Sequence, residues 1–366
     1  MSERFSLSAL LSQTLVAFVI ELDNTFEQRM PHRTARLGLT SGASVADAPW
    51  LASMAMWANC MRYVDEAGVT AAELARRARM STNFDGMRRW GYVTLDGHGV
   101  GRGDRVARVR KDTVIRPTRA GLQAQEIWVP LPAEIETRWE SRFGADKMRA
   151  LRAALGELVG RLSPDLPDFP PILGYGLTAR REPPAGAATE AVNERPLFAL
   201  LSRPIVAFAD EFDAASPISL AMAADVLRPI DEAGVAVREL PALTGIAGEP
   251  IAVGLSWLEK RGLVSVVTVD RTKLVRLTAA GVAARGRAVD RVREVESSWR
   301  DRYGEGTIDA IRGALEPLVG DGTAAGSRLF LGLMPPAGGW RASFPMQPVL
   351  PQFPMVTHRG GYPDGS

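Results

Sequence analysis

The chain has 366 residues, of which 46% are hydrophobic, and its 44 basic and 42 acidic side chains give a net charge of +2. These values predict a globular chain of two or three domains and exclude an acidic disordered chain and a histone-like polycation. The single cysteine, Cys60, excludes an intrachain disulfide and a cysteine-based zinc site, and the three histidines lie far apart in sequence. We therefore expect no cofactor and no metal site, with Cys60 as a core thiol.

The first apolar segment, residues 5–20, resembles the hydrophobic part of a signal peptide. It contains five polar residues and is followed by charged residues without a small-x-small cleavage site. It is also too short and too polar for a membrane span. Because a cognate segment recurs in mid-chain, we expect a helix here, no membrane association and a cytoplasmic location.

The two halves of the sequence repeat each other. Residues 118–160 and 278–320 share 17 identities in 43 positions. Further matches follow in the same order in both halves: LSQTLVAFVIELDN with LSRPIVAFADEFDA, YVDEAGVTAAEL with PIDEAGVAVREL, and LPDFP with LPQFP. This pattern predicts duplication of a unit of about 150 residues, whose copies pack as a pseudo-symmetric pair as a homodimer would.

The repeat and the composition together define four regions. They are a first unit at 1–175, a linker rich in Pro, Ala and Glu at 176–196, a second unit at 197–334 and a Pro/Gly-rich tail at 335–366. The aromatic residues of the tail predict that it lies on a protein surface. The first helix of each unit carries acidic residues, for which a solvated helix face is expected: Asp23, Glu27, Asp210, Glu211 and Asp213.

The second unit has the clearer pattern of elements. It predicts helices at 201–212, 223–234 (ended by Gly234), 237–245 and from Pro250 to Gly262, strands at 263–269 and 274–278 around a turn at 270–273, and a long helix at 279–303. This order is that of a winged helix-turn-helix, whose third helix enters the DNA major groove. We predict a mainly α fold with small β-hairpin wings, as two tandem winged helix-turn-helix units forming a pseudo-dimer.

The segment WLEKRGLVSVVTVDRTKLVRLTAAGVAAR at 257–285 resembles the MarR-type regulators. Their recognition helix ends in Leu-Glu-x-x-Gly-Leu-Val, and a wing and a Leu-Thr-x-x-Gly helix start follow. The resemblance covers most of 201–320 and, more weakly, 11–160. It implies a DNA-binding transcriptional regulator, often controlled by a small ligand between its DNA-binding and dimerisation parts. Two units in one chain depart from that family's pattern and would replace the usual homodimer.

Basic residues concentrate in the first unit. Residues 76–119 have twelve basic and four acidic side chains, a net charge of +8, whereas the matching stretch 238–279 has +2. They lie on the helix-turn-helix and on a glycine-opened wing at 97–111, the elements that would meet DNA phosphates. In this wing, alternation predicts a strand with Arg108 and Arg110 on one face. The predicted DNA-binding residues are Ser81, Thr82, Asn83, Arg88, Arg89, Arg102, Arg105, Arg108, Arg110, Lys111, Arg271 and Lys273.

Four tryptophans are candidates for lining a cleft that holds a small aromatic effector, with core packing as the alternative: Trp50, Trp57, Trp90 and Trp139. We predict a non-enzymatic regulator that binds double-stranded DNA, as a monomer with an internal pseudo-two-fold or as a higher homo-oligomer. One alternative is a protein-interaction or scaffold module, because the first unit's recognition helix is about five residues shorter than the second's. Another is a winged-helix enzyme acting on nucleic acid, for which the sequence offers no catalytic constellation.

Overall fold

Helices dominate the computed structural model, which describes residues 5–34, 49–80, 84–97, 109–171, 192–344 and 346–354. Within these ranges, each half of the chain also contributes a small antiparallel sheet of three strands. The predicted mainly α class with small β elements is confirmed.

The helices and strands of the two repeats follow one another in a similar order. The first unit contains α1 (Leu7–Arg29), α2 (Met54–Asn59), β1 (Val69–Thr70), α3 (Ala71–Ala78), α4 (Phe84–Arg89), β2 (Val93–Leu95), β3 (Val114–Pro117), α5 (Arg119–Trp128), α6 (Leu131–Phe143) and α7 (Ala145–Arg161). The second contains α8 (Leu197–Asp213), α9 (Asp225–Leu227), β4 (Val235–Ala236), α10 (Leu240–Thr244), α11 (Gly248–Lys260), β5 (Val264–Val269), β6 (Thr272–Leu277), α12 (Ala279–Tyr303) and α13 (Glu305–Val319).

In each unit the short strand before the helix pair joins the later hairpin, giving the strand orders β1-β3-β2 and β4-β6-β5. The second hairpin turns at Asp270 and Arg271, whose φ angles are 47° and 68°, as a tight two-residue turn requires. The turn is shorter than predicted, and Lys273 lies in β6 opposite Thr268. In the first unit, the carbonyl of Arg110 accepts a 3.1 Å hydrogen bond from the N–H of Thr113 in a turn. The prediction of a strand at Arg110 is therefore wrong.

The helix predicted at 223–234 is much shorter in the structure. A π-helical turn, Leu220–Ala224, leads into α9, which ends at Leu227. Pro229 follows two residues later, and proline cannot continue the hydrogen-bonding pattern of a helix. Gly234 instead forms the turn before β4, with a φ of 98° and its N–H donating to the carboxylate of Asp231 at 2.7 Å.

A Thr-x-x-Gly motif begins the helix that follows each hairpin. The hydroxyl of Thr278 caps α12 by accepting from the N–H of Gly281 at 3.0 Å. A Cβ at Gly281 would lie 1.9 Å from the carbonyl oxygen of Leu263, so the helix can approach the strand only with glycine there. Thr118 and Gly121 repeat this arrangement at α5. The two identities in the repeat therefore have a packing cause.

Helices α1, α7, α8 and α13 pack together as a four-helix core, with α1 and α7 each contacting both α8 and α13. Because the repeat relates α1 to α8 and α7 to α13, the contacts between the units are reciprocal. By length and composition alone, α1 is apolar enough to cross a membrane and extends beyond the predicted 5–20 segment. The apolar window of α1 is nevertheless wholly buried in the protein, as in the core helix of a bundle.

Each unit supplies the carboxylate that caps the first helix of the other. Glu136 on α6 accepts the N–H of Leu197, the first residue of α8, at 2.8 Å. The same carboxylate pairs at 2.6 Å with Arg152 on α7, which donates to the carbonyl of Arg195 at 2.7 Å. The first N–H groups of a helix have no partner within it, and its N-terminus favours negative charge.

The reciprocal contact has the same composition. Glu296 on α12 accepts the N–H of Leu7, the first residue of α1, at 2.9 Å. It pairs at 2.7 Å with Arg312 on α13, which donates to the carbonyl of Phe5 at 2.6 Å. These two contacts, one from each unit, are called the crossed caps below.

Arginines from the opposite unit also meet the carboxyl-terminal ends of two helices. Arg161 donates to the carbonyl of Tyr303 and lies 5.4 Å from the centre of its ring. Arg328 donates to the carbonyl of Arg142 and lies 5.3 Å from the ring of Phe143. Cations are favoured at this end of a helix, where carbonyl groups lack partners.

The described part of the tail packs on both units, as predicted. The hydroxyl of Ser12 on α1 donates to the carbonyl of Pro351 at 2.8 Å, and the N–H of Gln352 donates to Asp225 on α9 at 2.8 Å. Phe353 is buried, although Phe344 is exposed.

Replacing the capping carboxylates tests the crossed caps. We expect Glu136→Gln and Glu296→Gln each to lower the free energy of unfolding by ~1–3 kcal/mol, because each change removes a charged acceptor from a helix N-terminus. The loss should be larger for Glu136→Gln, since Arg152 then loses its carboxylate partner, whereas Arg312 keeps Glu316 at 3.2 Å. Urea denaturation measures this loss. Glu140→Gln, at an exposed position of α6, is the matched control and should change little. Equal stability of the cap and control variants would contradict the interpretation.

Candidate functional site

The structure separates the predicted DNA-binding residues of the first unit into three groups. Six of them lie outside the described residues: Ser81, Thr82, Asn83, Arg102, Arg105 and Arg108. Arg88 is only 3% exposed within α4 and Arg89 is half-buried, so the expectation that Arg88 faces a duplex is wrong in this conformation. Arg110 and Lys111 are exposed, and Arg110 forms an ion pair with Asp112 at 2.8 Å.

Ion pairs reduce the positive charge that the first unit offers to a ligand. Glu73 lies just before the basic stretch and receives hydrogen bonds from Arg76 at 2.6 Å and Arg77 at 2.8 Å. These bonds lower the pKa of Glu73 to about 2, so it is ionised at neutral pH. Arg116 pairs with Asp96 at 2.6 Å. Asp96 and Asp112 are already included in the net charge of +8 for residues 76–119, but Glu73 is not, and including it lowers the net charge of residues 73–119 to +7.

In the second unit, α11 and the hairpin present a mixed surface. The exposed positions of α11 include Glu249, Glu259 and Lys260. Arg271 and Lys273 are exposed at the hairpin, as expected for groups that contact phosphates. Positive charge in this unit is thus found on the hairpin more than on the helix.

The four candidate tryptophans do not form one cleft. Trp139 is fully buried, lies 5.4 Å from the ring of Phe18, and donates to Glu21 at 3.0 Å. Trp57 packs against the ring of Phe198 at 5.9 Å. Both side chains belong to the core, so the expectation that they line a ligand cleft is wrong.

Trp50 and Trp90 are half-buried neighbours, joined by a 3.0 Å bond from the N–H of Trp50 to the carbonyl of Trp90. The guanidinium of Arg33 lies 5.6 Å from the centre of the Trp50 ring. These two tryptophans therefore remain the candidates for an aromatic ligand.

A cluster of buried charges, which the sequence did not reveal, joins the two units near the end of α7. Asp168 accepts from Arg62 at 2.8 Å, from Arg195 at 2.5 Å and from Arg203 on α8 at 3.1 Å. Burial raises the pKa of Asp168, but the three guanidinium groups lower it further, so this carboxylate is ionised. Arg203 also donates to the carbonyl of Ser163 at 2.7 Å.

Arg79 adds another guanidinium to this neighbourhood. It follows α3 in the left-handed conformation, with a φ of 56°, and is 7% exposed. Burial raises the pKa of Tyr63, while the charges of Arg62 and Arg79 oppose that rise. Burial lowers the pKa of Arg203, and the charge of Arg79 lowers it further. We call Arg62, Arg79, Arg203 and Asp168 the arginine cluster.

A second buried polar group lies between α1 and the tail. Asp23 accepts the N–H of Met54, the first residue of α2, at 2.7 Å, and lies 3.6 Å from the buried guanidinium of Arg341. Glu27 accepts from the backbone N–H of Arg341 and lies 3.9 Å from His32. The expected solvated helix face is therefore wrong for Asp23 and Glu27, both of which are buried.

Burial has opposite effects on two members of this group. It raises the pKa of Asp23 to about 7, although the charge of Arg341 and the N–H of Met54 act against this. Burial and the charge of Arg341 lower the pKa of His32 to about 4. Both groups are thus held largely neutral in mildly acidic solution. Burial likewise raises the pKa of Cys60 to about 12, as expected for a core thiol.

These two pKa values predict opposing dependences of stability on pH. Asp23 binds its proton more tightly in the folded chain, so it contributes stability that is lost as the pH rises from about 4 to about 7. His32 binds its proton less tightly there, so it contributes stability that is lost as the pH falls from about 6.5 to about 4. Each slope is at most ~1.4 kcal/mol per pH unit.

Chemical denaturation between pH 4 and 7 separates the two contributions. Relative to the wild type, Asp23→Asn should become progressively more stable as the pH rises, and His32→Gln should become progressively more stable as it falls. Asp301→Asn, at an exposed position of α12, should parallel the wild type. Parallel curves for all four proteins would show that neither group titrates as described.

No protein family model, curated protein or solved structure matches this chain. Within the described residues, no group of three or more His, Cys, Asp or Glu side chains is placed to hold a metal ion. The case for a function therefore depends on the order of elements, the exposed charges and the contacts between the units.

Proposed function

We propose that the chain is a DNA-binding transcriptional regulator that contacts duplex DNA through two winged helix-turn-helix units, resembling MarR-type regulators, with control by a small ligand. The observation that carries this proposal is the shared order of elements. In each unit a short strand precedes two helices and a hairpin, and pairs with the second hairpin strand, as β1 does with β3 and β4 with β6. This order is typical of winged helices, in which the second helix of the pair and the hairpin meet DNA.

The second unit has the geometry that suits groove binding better. Helix α10 ends at Gly245, whose φ of 75° makes the turn before α11. Helix α11 spans thirteen residues, and the hairpin beside it exposes Arg271 and Lys273. The crossed caps hold the two units of the chain against each other, as a homodimer interface would hold two subunits.

The alternative is a protein-interaction or scaffold module, and one observation favours it. Helix α4, at the position of a recognition helix, spans only six residues and buries Met87 and Arg88. The exposed positions of α11 include two glutamates, which would face DNA phosphates unfavourably.

Salt dependence of duplex binding distinguishes the two functions. A regulator that contacts phosphates should lose affinity steeply as salt rises, by roughly 0.9 in log–log slope for each phosphate contact. Replacing Arg105, Arg108 and Arg110 with Ala should therefore flatten the slope by about two to three units, if all three contact phosphate. The change should weaken binding to all sequences alike. Fluorescence anisotropy at several salt concentrations measures both effects.

Two further variants complete this experiment. Replacing Arg271 and Lys273 with Ala should cost less affinity than the triple change, and a larger cost would identify the second unit as the main contact. Replacing Lys147 and Arg149 with Ala, at exposed positions of α7, is the charge-matched control and should leave binding unchanged. Wild-type protein that shows no salt-dependent duplex binding would favour the interaction module.

A further inference from the structure

The arginine cluster holds more positive charge than the described residues balance. Arg62, Arg79 and Arg203 carry three positive charges. The carboxylate that they adjoin, Asp168, also bonds Arg195, so two positive charges remain even when the whole charge of Asp168 is set against these three arginines. Arginine stays protonated in proteins, so the cluster cannot lose this charge at neutral pH. Burying charge without a counter-ion is strongly unfavourable, and the excess of two charges therefore calls for a further anion.

The hydrogen bonding of the cluster is also incomplete. The Nε–H groups of Arg62, Arg79 and Arg203 are buried and find no hydrogen-bond partner within the described ranges. Arg203 is only 2% exposed, so solvent does not replace that partner. Buried donors are almost always satisfied in native proteins. Arg62 and Arg203 flank Asp168, and the charge of Arg79 acts on Arg203, so the unsatisfied Nε–H groups indicate a missing acceptor in this neighbourhood.

The repeat supplies an internal comparison. The matching positions in the other half are Arg228 for Arg62, Gly245 for Arg79, Gln13 for Arg203 and Gln352 for Asp168. Arg228 there is neutralised by Asp225 at 2.9 Å. The turn after α10 and the turn after α3 both have a residue in the left-handed conformation. In the first of these turns the residue is glycine, which this conformation favours, and in the second it is Arg79. The excess charge therefore belongs to one half only and is not required by the shared fold.

We propose that the arginine cluster binds a tetrahedral oxyanion with a charge near −2, either inorganic phosphate or the phosphoryl group of a phosphomonoester. A dianion balances the excess of two charges, whereas a single carboxylate would leave one. Guanidinium groups also match phosphate oxygens in bidentate geometry. The bound anion would connect Arg62 and Arg79 of the first unit to Arg203 on α8 of the second. This site goes beyond DNA binding and does not depend on it.

The test is calorimetric titration of the full chain with inorganic phosphate at constant ionic strength, combined with melting temperatures. The wild type should bind one equivalent saturably. Arg79→Gly should weaken phosphate binding at least tenfold, because it removes a guanidinium that contacts the anion. In phosphate-free buffer its melting temperature should not be lower than that of the wild type, since glycine suits the turn and a buried charge is lost. Arg76→Gln, with the same charge change on α3, should bind like the wild type.

For a second variant we expect the opposite change, a stronger binding of phosphate. Asp168→Gln introduces glutamine, the residue that occupies the matching position, Gln352, in the other half. The change removes the carboxylate that competes with phosphate for the arginines. It should therefore strengthen phosphate binding severalfold and enlarge the rise in melting temperature that phosphate causes. Titration with glycerol phosphate distinguishes the two sources of the anion. At least tenfold tighter binding than inorganic phosphate identifies a phosphomonoester site, and equal or weaker binding identifies an inorganic phosphate site.

Three results would overturn the proposal. The first is a lack of saturable binding of either probe to the wild type. The second is equal phosphate binding to the wild type and to Arg79→Gly. The third is a lower melting temperature of Arg79→Gly in phosphate-free buffer, which would show that the chain already neutralises Arg79.

Discussion

The crossed caps are the interaction on which the arrangement of the two units depends. The first N–H groups of α1 and α8 lie inside the four-helix core, where an unsatisfied backbone donor is costly. Glu296 and Glu136 satisfy them from the opposite unit, and each carboxylate is held by an arginine one helix further on. Because each unit completes the first helix of the other, neither has a fully satisfied interior alone.

Duplication makes departures from symmetry informative. The contacts that maintain the frame, such as the crossed caps and the Thr-x-x-Gly helix starts, are the same in both halves. The buried charges differ, because Arg203 and Asp168 of the arginine cluster correspond to Gln13 and Gln352 in the other half. Asp23 and its counterpart Asp213 each cap the next helix at 2.7 Å, but a buried arginine of the tail, Arg341, accompanies Asp23. The shared contacts maintain packing, and the unshared charges are where the two halves have diverged chemically.

The sequence predicted what depends on local pattern and on the repeat. The long α12, its end at Gly304 and the pairing of the two units followed from these signals. Local pattern failed where a single residue interrupted it, as Pro229 does after α9. It failed again where partners are distant in sequence, since nothing near Asp23 indicates Arg341, which lies 318 residues away. The stretch over which charge was counted also omitted Glu73, which lies just before it and accepts hydrogen bonds from both Arg76 and Arg77.

The arginine cluster could have been found in the sequence by comparing the halves for differences instead of identities. Within matching segments, glutamine is replaced by Arg203 and by Asp168, and glycine by Arg79. Two of these changes introduce positive charge and one introduces negative charge, and the fold brings all three to one place. Arg79 lies at the turn between α3 and α4, the helix pair proposed to meet DNA. If both proposals hold, an anion bound at this turn would change the orientation of α4 only if it binds the chain more tightly in one orientation of α4 than in another. The shared four-helix core would then connect the two units, because Arg203 of the same cluster belongs to α8.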